Sequence, residues 1–145
     1  SCLVGSEMCI RDRNTPIELH TLEQIHKAKT GALLKFSILS AADIANVNKE
    51  ILNTLDYFSE HLGLMFQIKD DLLDVYGDEK KLGKKVGSDV ENHKSTYVSL
   101  LGKSGAEEKL KYHKDAAIDT INQLKPQYDV EPLLEIVDLF YSRDH

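Results

Sequence analysis

Three aspartates stand close together in the chain, Asp70, Asp71 and Asp74, in a stretch whose apolar residues recur at helical spacing. On a helical wheel with Asp70 at the origin, Asp74 falls at about 40°, Gln67 at about 60° and Asp71 at about 100°. The three carboxylates and the amide therefore share one arc, with Asp70 and Asp74 one turn apart. Carboxylate oxygens at that spacing suit Mg²⁺, which keeps several waters and shares its coordination shell with substrate phosphates.

The rest of this helix is apolar around most of its circumference. Its apolar residues are Ile51, Leu55, Phe58, Leu62, Met65, Phe66, Leu73 and Tyr76 on one side, and Leu64, Ile68 and Val75 on the other. A helix of this kind is mostly buried, so the carboxylates on it need cations. Asp56 and Gly63 lie on the same arc as the aspartates, and Gly63 is expected to leave it open one turn below. Lys69 falls inside the apolar stripe, which only a snorkelling side chain explains.

Lysines near this helix could supply the cations. The aspartate spacing alone also fits a solvated acidic face, but the flanking apolar residues and the lysines that follow favour a site. Lys80, Lys81, Lys84 and Lys85 follow the helix together with Gly83 and Gly87, and glycines let the backbone approach phosphate oxygens. Lys80, Lys81 and Lys85 are interpreted as solvated, whereas a role for Lys84 and for the later Lys94 is implied only by the motif resemblance given below. Acids, a metal and nearby lysines together indicate diphosphate binding. Lys29 and Thr30 could also point into a cavity, although these residues by themselves favour a helix end with a solvated lysine.

The pattern predicts an all-α protein of five or six helices. The first helix is expected to start with Thr15 as N-cap, Pro16 at N1 and Glu18 at N3, to weaken or bend at Gly31, and to continue to about Val47. After a break at 48–49, the helix of the aspartates is predicted over about 50–76, and then a loop over 77–92. The remaining helices are predicted over 94–101, ended by Gly102, from a capping box at 104–107 to about 124, and over 130–141.

The composition excludes several classes of protein. The 145 residues suit one domain, and 18 basic against 24 acidic residues give a net charge of −6, which argues against nucleic-acid binding by bulk charge. No apolar run approaches the roughly 20 residues of a membrane span and no signal peptide is evident, so a cytoplasmic protein is expected. Cys2 and Cys9 form neither a disulfide framework nor a metal site. Residues 1–13 are predicted to be a non-native or disordered segment, followed by a domain over 14–145.

Four ordered motifs give the chain a resemblance to a known family. The motifs are Ile25–Leu33, Phe66–Asp74, Leu82–Lys84 with Gly87–Asp89, and Lys94–Tyr97. In this order and spacing they resemble the C-terminal half of the trans-isoprenyl diphosphate synthases, also called polyprenyl synthetases, and most of all the bacterial farnesyl diphosphate synthases. The resemblance implies that the chain holds the C-terminal helices of the all-α isoprenoid synthase fold, as an incomplete bundle.

The resemblance also implies a reaction. Members of this family join an allylic diphosphate to isopentenyl diphosphate, once Mg²⁺ and basic residues have drawn diphosphate off the allylic substrate; they work as homodimers. Asp70, Asp71 and Asp74 match the motif that holds Mg²⁺, and Asp70 is expected to matter most. The residues that match the family's diphosphate-binding and cavity positions are Lys29, Lys84 and Lys94 for the diphosphate, and Thr30 and Gln67 for the developing cation. Lys29, Thr30 and Gln67 are therefore the expected catalytic residues.

The chain departs from the family pattern because the first aspartate-rich motif and the upstream basic segments are absent. A fragment that is inactive alone, with helix faces exposed, is therefore expected. A terpene cyclase of the same broad fold is disfavoured by the segments around Lys84 and Lys94. The competing functions are a non-catalytic helical partner or regulatory subunit of a prenyl synthase, a geranyl or geranylgeranyl diphosphate synthase, and a plain helical bundle.

Overall fold

The computed structural model describes residues 17–77 and 95–145, and these residues form helices and turns without a strand. The helices are α1 (Leu19–His26), α2 (Ala32–Ile44), α3 (Lys49–Tyr76), α4 (Tyr97–Asn122) and α5 (Glu131–Ser142), with a π-helical segment (Lys27–Gly31) between α1 and α2. The predicted all-α fold is thus confirmed. Predictions for Thr15, Pro16, Lys84, Lys94 and the loop after α3 lie outside the described residues. None of the described helices is both long enough and apolar enough to cross a membrane.

The first helix begins later than the capping pattern predicts. Glu18 has extended backbone angles, φ −72° and ψ 154°, and occupies the N-cap instead of N3. The carbonyl of Glu18 accepts the first helical hydrogen bond, from the N–H of Leu22 at 3.0 Å. Leu22 is fully buried, and the partly buried Ile17 and Leu19 pack against the same core. Such packing contributes more to the stability of a short helix than capping propensity does.

The end of α2 shows a turn that the sequence pattern missed. Asn46 has a left-handed backbone with φ 54°, and the Val47 N–H donates to the carbonyl of Ala42 at 3.3 Å. The Asn46 N–H donates to Asp43, which completes a Schellman-type C-terminus. The helix therefore ends at Ile44, before the predicted Val47.

The two longest helices each have a side-chain cap at their N-terminus. The side chain of Asn48 accepts the N–H of Ile51 at 3.0 Å, so α3 begins at Lys49 and the break before it covers residues 45–48, against the predicted 48–49. At the start of α4, Thr96 and Ser99 form a reciprocal capping box. Gly102 then interrupts α4 with φ 72°, where the sequence predicts a helix end, and the chain continues as a kinked helix to Asn122.

The core lies where α3 packs against α4, with α1 and α5 at its sides. The fully buried side chains here include Leu22, Phe58, Met65, Ile68, Tyr97, Ile121 and Val137. Most of the predicted apolar stripe of α3 is buried, but Tyr76 is half-exposed, which corrects its assignment to the core. Tyr76 is the last residue of α3, and its ring lies against solvent with the ammonium of Lys103 4.8 Å from the ring centroid.

Candidate functional site

The acidic arc of α3 combines buried and open carboxylates. Asp71 and Asp74 are buried, as is Gln67, whereas the side chain of Asp70 keeps 38% of its exposure. The wheel does not explain this contrast, since Asp70 lies at one edge of the arc while the buried Asp74 and Gln67 lie in its middle. For Asp71, burial comes from its contact with the start of α4. Of the three aspartates Asp70, Asp71 and Asp74, Asp70 is the one that an incoming ligand can reach most easily.

Asp71 ties two helices together through both of its oxygens. Oδ1 accepts a hydrogen bond from Nε2 of Gln67 at 3.1 Å, and Oδ2 accepts one from the backbone N–H of Tyr97 at 2.9 Å. Tyr97 is the first residue of α4, so a buried carboxylate on α3 satisfies one of the open N–H groups of α4 and faces the positive end of its dipole. These two bonds fix the carboxylate of Asp71 and the amide of Gln67 in one orientation.

Gly63 brings the π-helical segment onto the acidic arc. A Cβ built on Gly63 would lie 2.8 Å from the Cα of Gly31, closer than real Cβ contacts. The expectation that Gly63 leaves the arc open is therefore wrong, because the backbone of the neighbouring segment fills this space. The contact places Lys29 and Thr30, both half-buried, beside α3 at a level one turn before Gln67.

The predicted bend at Gly31 takes the form of a π-helical turn. Gly31 keeps helical backbone angles, φ −59° and ψ −40°, so the helix changes its hydrogen-bond register here and is not broken. Single π-helical turns inside α-helices often occur at functional sites. Here the turn contains two of the sequence-predicted catalytic residues, Lys29 and Thr30.

Ion pairs fasten the same region to α3. Lys35 on α2 pairs with Asp56, and Lys27 in the π-helical segment lies 3.4 Å from Glu60. Asp56 shares the helical arc of the aspartates but is engaged by Lys35, two turns away from Gly63. All four side chains are more than a third exposed, so each pair contributes little on its own.

Arg143 is a member of this site that the motifs did not reveal. Its Nη2 donates to the carbonyl of Phe66 at 3.0 Å, and its guanidinium lies 4.3 Å from the centroid of the Phe66 ring. The same Nη2 is 3.9 Å from Oδ1 of Asp70. Burial lowers the pKa of Arg143, and the charge of Asp70 opposes this shift. The signal in the sequence is compositional, since Arg143 is the only arginine after Arg13.

The described residues alone do not supply a complete metal cage. Within the ranges 17–77 and 95–145, no three side chains of His, Cys, Asp or Glu form a cluster that could hold a metal ion. The structure brings Gln67, Asp70, Asp71 and Asp74 onto one arc of α3, and Lys29 and Thr30 lie beside that arc. Lys84 and Lys94 fall outside the residues it describes.

Comparison with known proteins gives this arrangement a family. The family model described as "Polyprenyl synthetase" matches residues 5–136. The chain belongs to the polyprenyl synthetase family. The family resemblance that the four motifs predicted is thereby confirmed. The match begins inside the segment 1–13 that the sequence predicts to be separate, and the boundary at residue 13 remains a prediction.

Relatives within the polyprenyl synthetase family are similar along nearly the whole chain. Farnesyl diphosphate synthase of Bacillus subtilis is 44% identical over 144 residues, and that of Geobacillus stearothermophilus is 43% identical over 143 residues. These matches cover 99% of this chain but 48% of each relative, so the chain spans about half the length of the relatives it matches.

A solved structure of the same fold extends the similarity to three dimensions. It is a geranyltransferase from Helicobacter pylori, solved in complex with magnesium and isoprenyl diphosphate. This protein is 31% identical to the chain with a TM-score of 0.74, over 91% of this chain and 42% of that one.

Proposed function

We propose that this chain is the diphosphate-binding part of a prenyltransferase that condenses an allylic diphosphate with isopentenyl diphosphate to form farnesyl diphosphate. The observation that carries the proposal is the acidic arc of α3, where Asp70 stays open beside buried Asp71 and Asp74. Lys29 and Thr30 are fixed beside this arc by the Gly31–Gly63 contact. Membership of the polyprenyl synthetase family supports the same function.

The donor set of the arc fits Mg²⁺ as a shared site. Asp70 and Asp74 offer hard oxygens one turn apart, and Mg²⁺ commonly takes one or two carboxylates, with waters and substrate phosphates as its other ligands. We propose that the metal binds at Asp70, the exposed carboxylate, with Asp74 of the same motif beside it. Asp71 also matches the metal motif, but both of its oxygens already accept hydrogen bonds, so we assign it the task of holding the arc in place. When bound, Mg²⁺ neutralises charge that develops on the leaving diphosphate.

The other residues act on the substrate. Lys29 pairs with the diphosphate as its bond to the allylic carbon breaks, and Lys84 and Lys94 are proposed to add further contacts to the same group. Gln67 donates through its amide nitrogen to Asp71, and its carbonyl oxygen takes no part in that bond. That oxygen, together with the hydroxyl of Thr30, stabilises the positive charge left on the allylic carbon.

The complete reaction is proposed for a longer, homodimeric, cytoplasmic protein, and this chain alone is expected to be inactive. An exposed apolar stripe on α2 favours a second candidate, a non-catalytic helical partner of a prenyl synthase. Leu33, Phe36 and Ile44 are 69%, 70% and 87% exposed on this stripe, which suits packing against another helical surface. Geranyl or geranylgeranyl diphosphate remains the alternative product.

Calorimetric titration with a non-hydrolysable geranyl diphosphate analogue tests the proposal. Binding is expected with Mg²⁺ and not in EDTA, and Asp70→Asn should weaken it at least about tenfold, since a charge-assisted contact is removed. Asp119→Asn, an exposed aspartate on α4, is the matched control and should bind as the unmodified chain does. Equal binding by both variants, or binding without metal, would contradict the assignment.

A further inference from the structure

A groove between α3, α4 and α5 lies on a different side of α3 from the acidic arc. Its volume is about 540 Å³, within the range of small-molecule sites. Leu72, Leu73 and Leu110 supply apolar surface, and Tyr76 and Tyr141 also line it. Lys69 lines the same groove, about 100° around the helix from Asp70. Lys69, which interrupts the apolar stripe of α3, therefore lies at the wall of this groove.

The ammonium of Lys69 has no close counter-ion in the described part of the chain. No carboxylate of residues 17–77 or 95–145 lies within ion-pairing distance, and the nearest aromatic partner is the Tyr141 ring, 6.0 Å from Nζ. Lys69 is partly buried, so its charge is partly dehydrated. An anion placed at the groove would compensate this partly dehydrated charge.

The other charged groups of the groove are already engaged or repulsive. Lys111 donates to Asp115 at 2.6 Å, so its charge is satisfied. Lys103 lies 3.9 Å from Glu107, a weaker pairing that leaves it able to assist. Glu107 and Glu108 on the α4 side disfavour an extended polyanion. The balance suits one anionic head beside Lys69.

We propose that this groove binds a small amphiphile that has a single phosphate or carboxylate head and a short apolar chain. The head pairs with Lys69, with Lys103 nearby, and the chain lies on Leu72, Leu73 and Leu110. The proposal does not depend on the proposed prenyltransferase activity, because none of these residues belongs to the acidic arc.

Titration with n-octyl phosphate below its micelle concentration, in EDTA, tests the groove. Saturable binding is expected, weakened at least about tenfold in Lys69→Met, which keeps the apolar stem and removes the charge. Lys125→Met is the matched control and should bind normally. Lys125 is exposed, pairs with Glu131 and does not line the groove. Inorganic phosphate and octanol should each bind more weakly than octyl phosphate, because each lacks one half of the ligand. Equal affinity of Lys69→Met and Lys125→Met would overturn the proposal.

Two further variants and a vesicle assay locate the ligand on the protein. Ser104→Trp blocks the groove from an exposed position and should abolish binding while the helical circular dichroism is retained. Asp70→Asn should leave the binding of octyl phosphate unchanged. Loss of binding in this variant would place the ligand on the acidic arc instead. Co-sedimentation with phosphatidic acid vesicles in the absence of binding to soluble octyl phosphate would likewise overturn the proposal, since the surface would then recognise a membrane.

Discussion

His61 of α3 and His113 of α4 meet inside the helix interface, with their Nδ1 atoms 2.9 Å apart. Both rings are buried, with Tyr57 and Tyr112 packed edge-on against His61. A hydrogen bond between the two Nδ1 atoms needs a proton on one of them and a lone pair on the other. The two neutral histidines therefore adopt different tautomers, and the pair accepts no second proton at this contact without losing its bond.

This pair predicts a loss of stability in acid. Burial lowers the pKa of His113 to about 3, with the charges of His61, Lys109 and Lys27 adding to the shift, and burial also lowers the pKa of His61. In the unfolded chain both titrate near 6.5, so the unfolded state binds more protons between pH 6.5 and about 3. The contribution of the neutral histidine pair to the free energy of unfolding is complete above pH 6.5 and falls as the pH drops towards 3.

Thermal melts from pH 7.5 to 4 check this expectation. The melting temperature should decline below pH 6.5, and His113→Gln should flatten the decline although it lowers the stability at pH 7. The exposed His20 gives the control His20→Gln, whose slope should equal that of the unmodified chain. Parallel slopes for all three proteins would rule out the pair as the cause.

Asp71→Ala is expected to lower the free energy of unfolding by about 1–3 kcal/mol, because the buried N–H of Tyr97 loses its acceptor. Urea denaturation measures this change. Asp119→Ala on the exposed face of α4 should change stability by less than about 0.5 kcal/mol. If Asp71→Ala changed the free energy of unfolding as little as this control does, the hydrogen bond between α3 and the start of α4 would not contribute to stability.

Gly63→Ala is expected to destabilise the fold by about 1–3 kcal/mol, since the new methyl group would collide with the backbone of Gly31. Asn53→Ala, an exposed substitution on the same helix, is the comparison. Amide chemical shifts should move in the Lys27–Gly31 segment of Gly63→Ala but stay in place in Asn53→Ala. An unperturbed π-helical segment would show that the two backbones are not in contact.

Arg143→Met should loosen the end of α5 from α3. The variant keeps an apolar stem over the Phe66 ring but loses the bond to the Phe66 carbonyl and the charge near Asp70. Hydrogen exchange of amides over 139–143 should become at least about tenfold faster, consistent with the loss of a charge-assisted hydrogen bond. Unchanged protection there would mean that packing of Phe140 on Phe66 suffices.

The apolar stripe of α2 predicts self-association. Sedimentation should show concentration-dependent oligomers, and Phe36→Lys should shift the distribution towards the monomer, because a charge would be placed in the exposed patch. Asn53→Lys adds the same charge at an exposed position on α3, away from the stripe, and should have the smaller effect. A monomer at all concentrations would contradict this expectation.

The local part of the site could be predicted, because helical period is a local property. The wheel places the three aspartates and Gln67 on one arc of α3, and Gly31 and Gly102 mark the π-helical turn and the kink. The partners across the fold could not be predicted in this way. Tyr97 lies 26 residues after Asp71, and Arg143 lies 77 residues after Phe66. Only the packing of the helices decides which of many distant polar groups meet.

The dependence on packing between distant segments also explains where the predictions from the sequence were wrong. Gly63 looks like an opening when its own helix is considered alone, but its role depends on the approach of Gly31 from another segment. Tyr76 fits the apolar stripe by angle, yet its side chain is half-exposed at the end of α3, since the angle alone does not decide what packs on a residue. Lys69 fits neither side of the wheel and is explained only by a groove that three helices form together.

The π-helical turn also sets the rotational register of the N-terminal helices. A π turn closes its hydrogen bonds one residue later than an α turn, so the segment Lys27–Gly31 behaves like an α-helix with one residue inserted. Deleting one residue there would restore a continuous helix but rotate everything before it by about 100°. Leu22 and His26 would then turn away from the core, and the chain would exchange its N-terminal packing for regular helix geometry. The phase of one turn thus decides which face of α1 the rest of the protein meets.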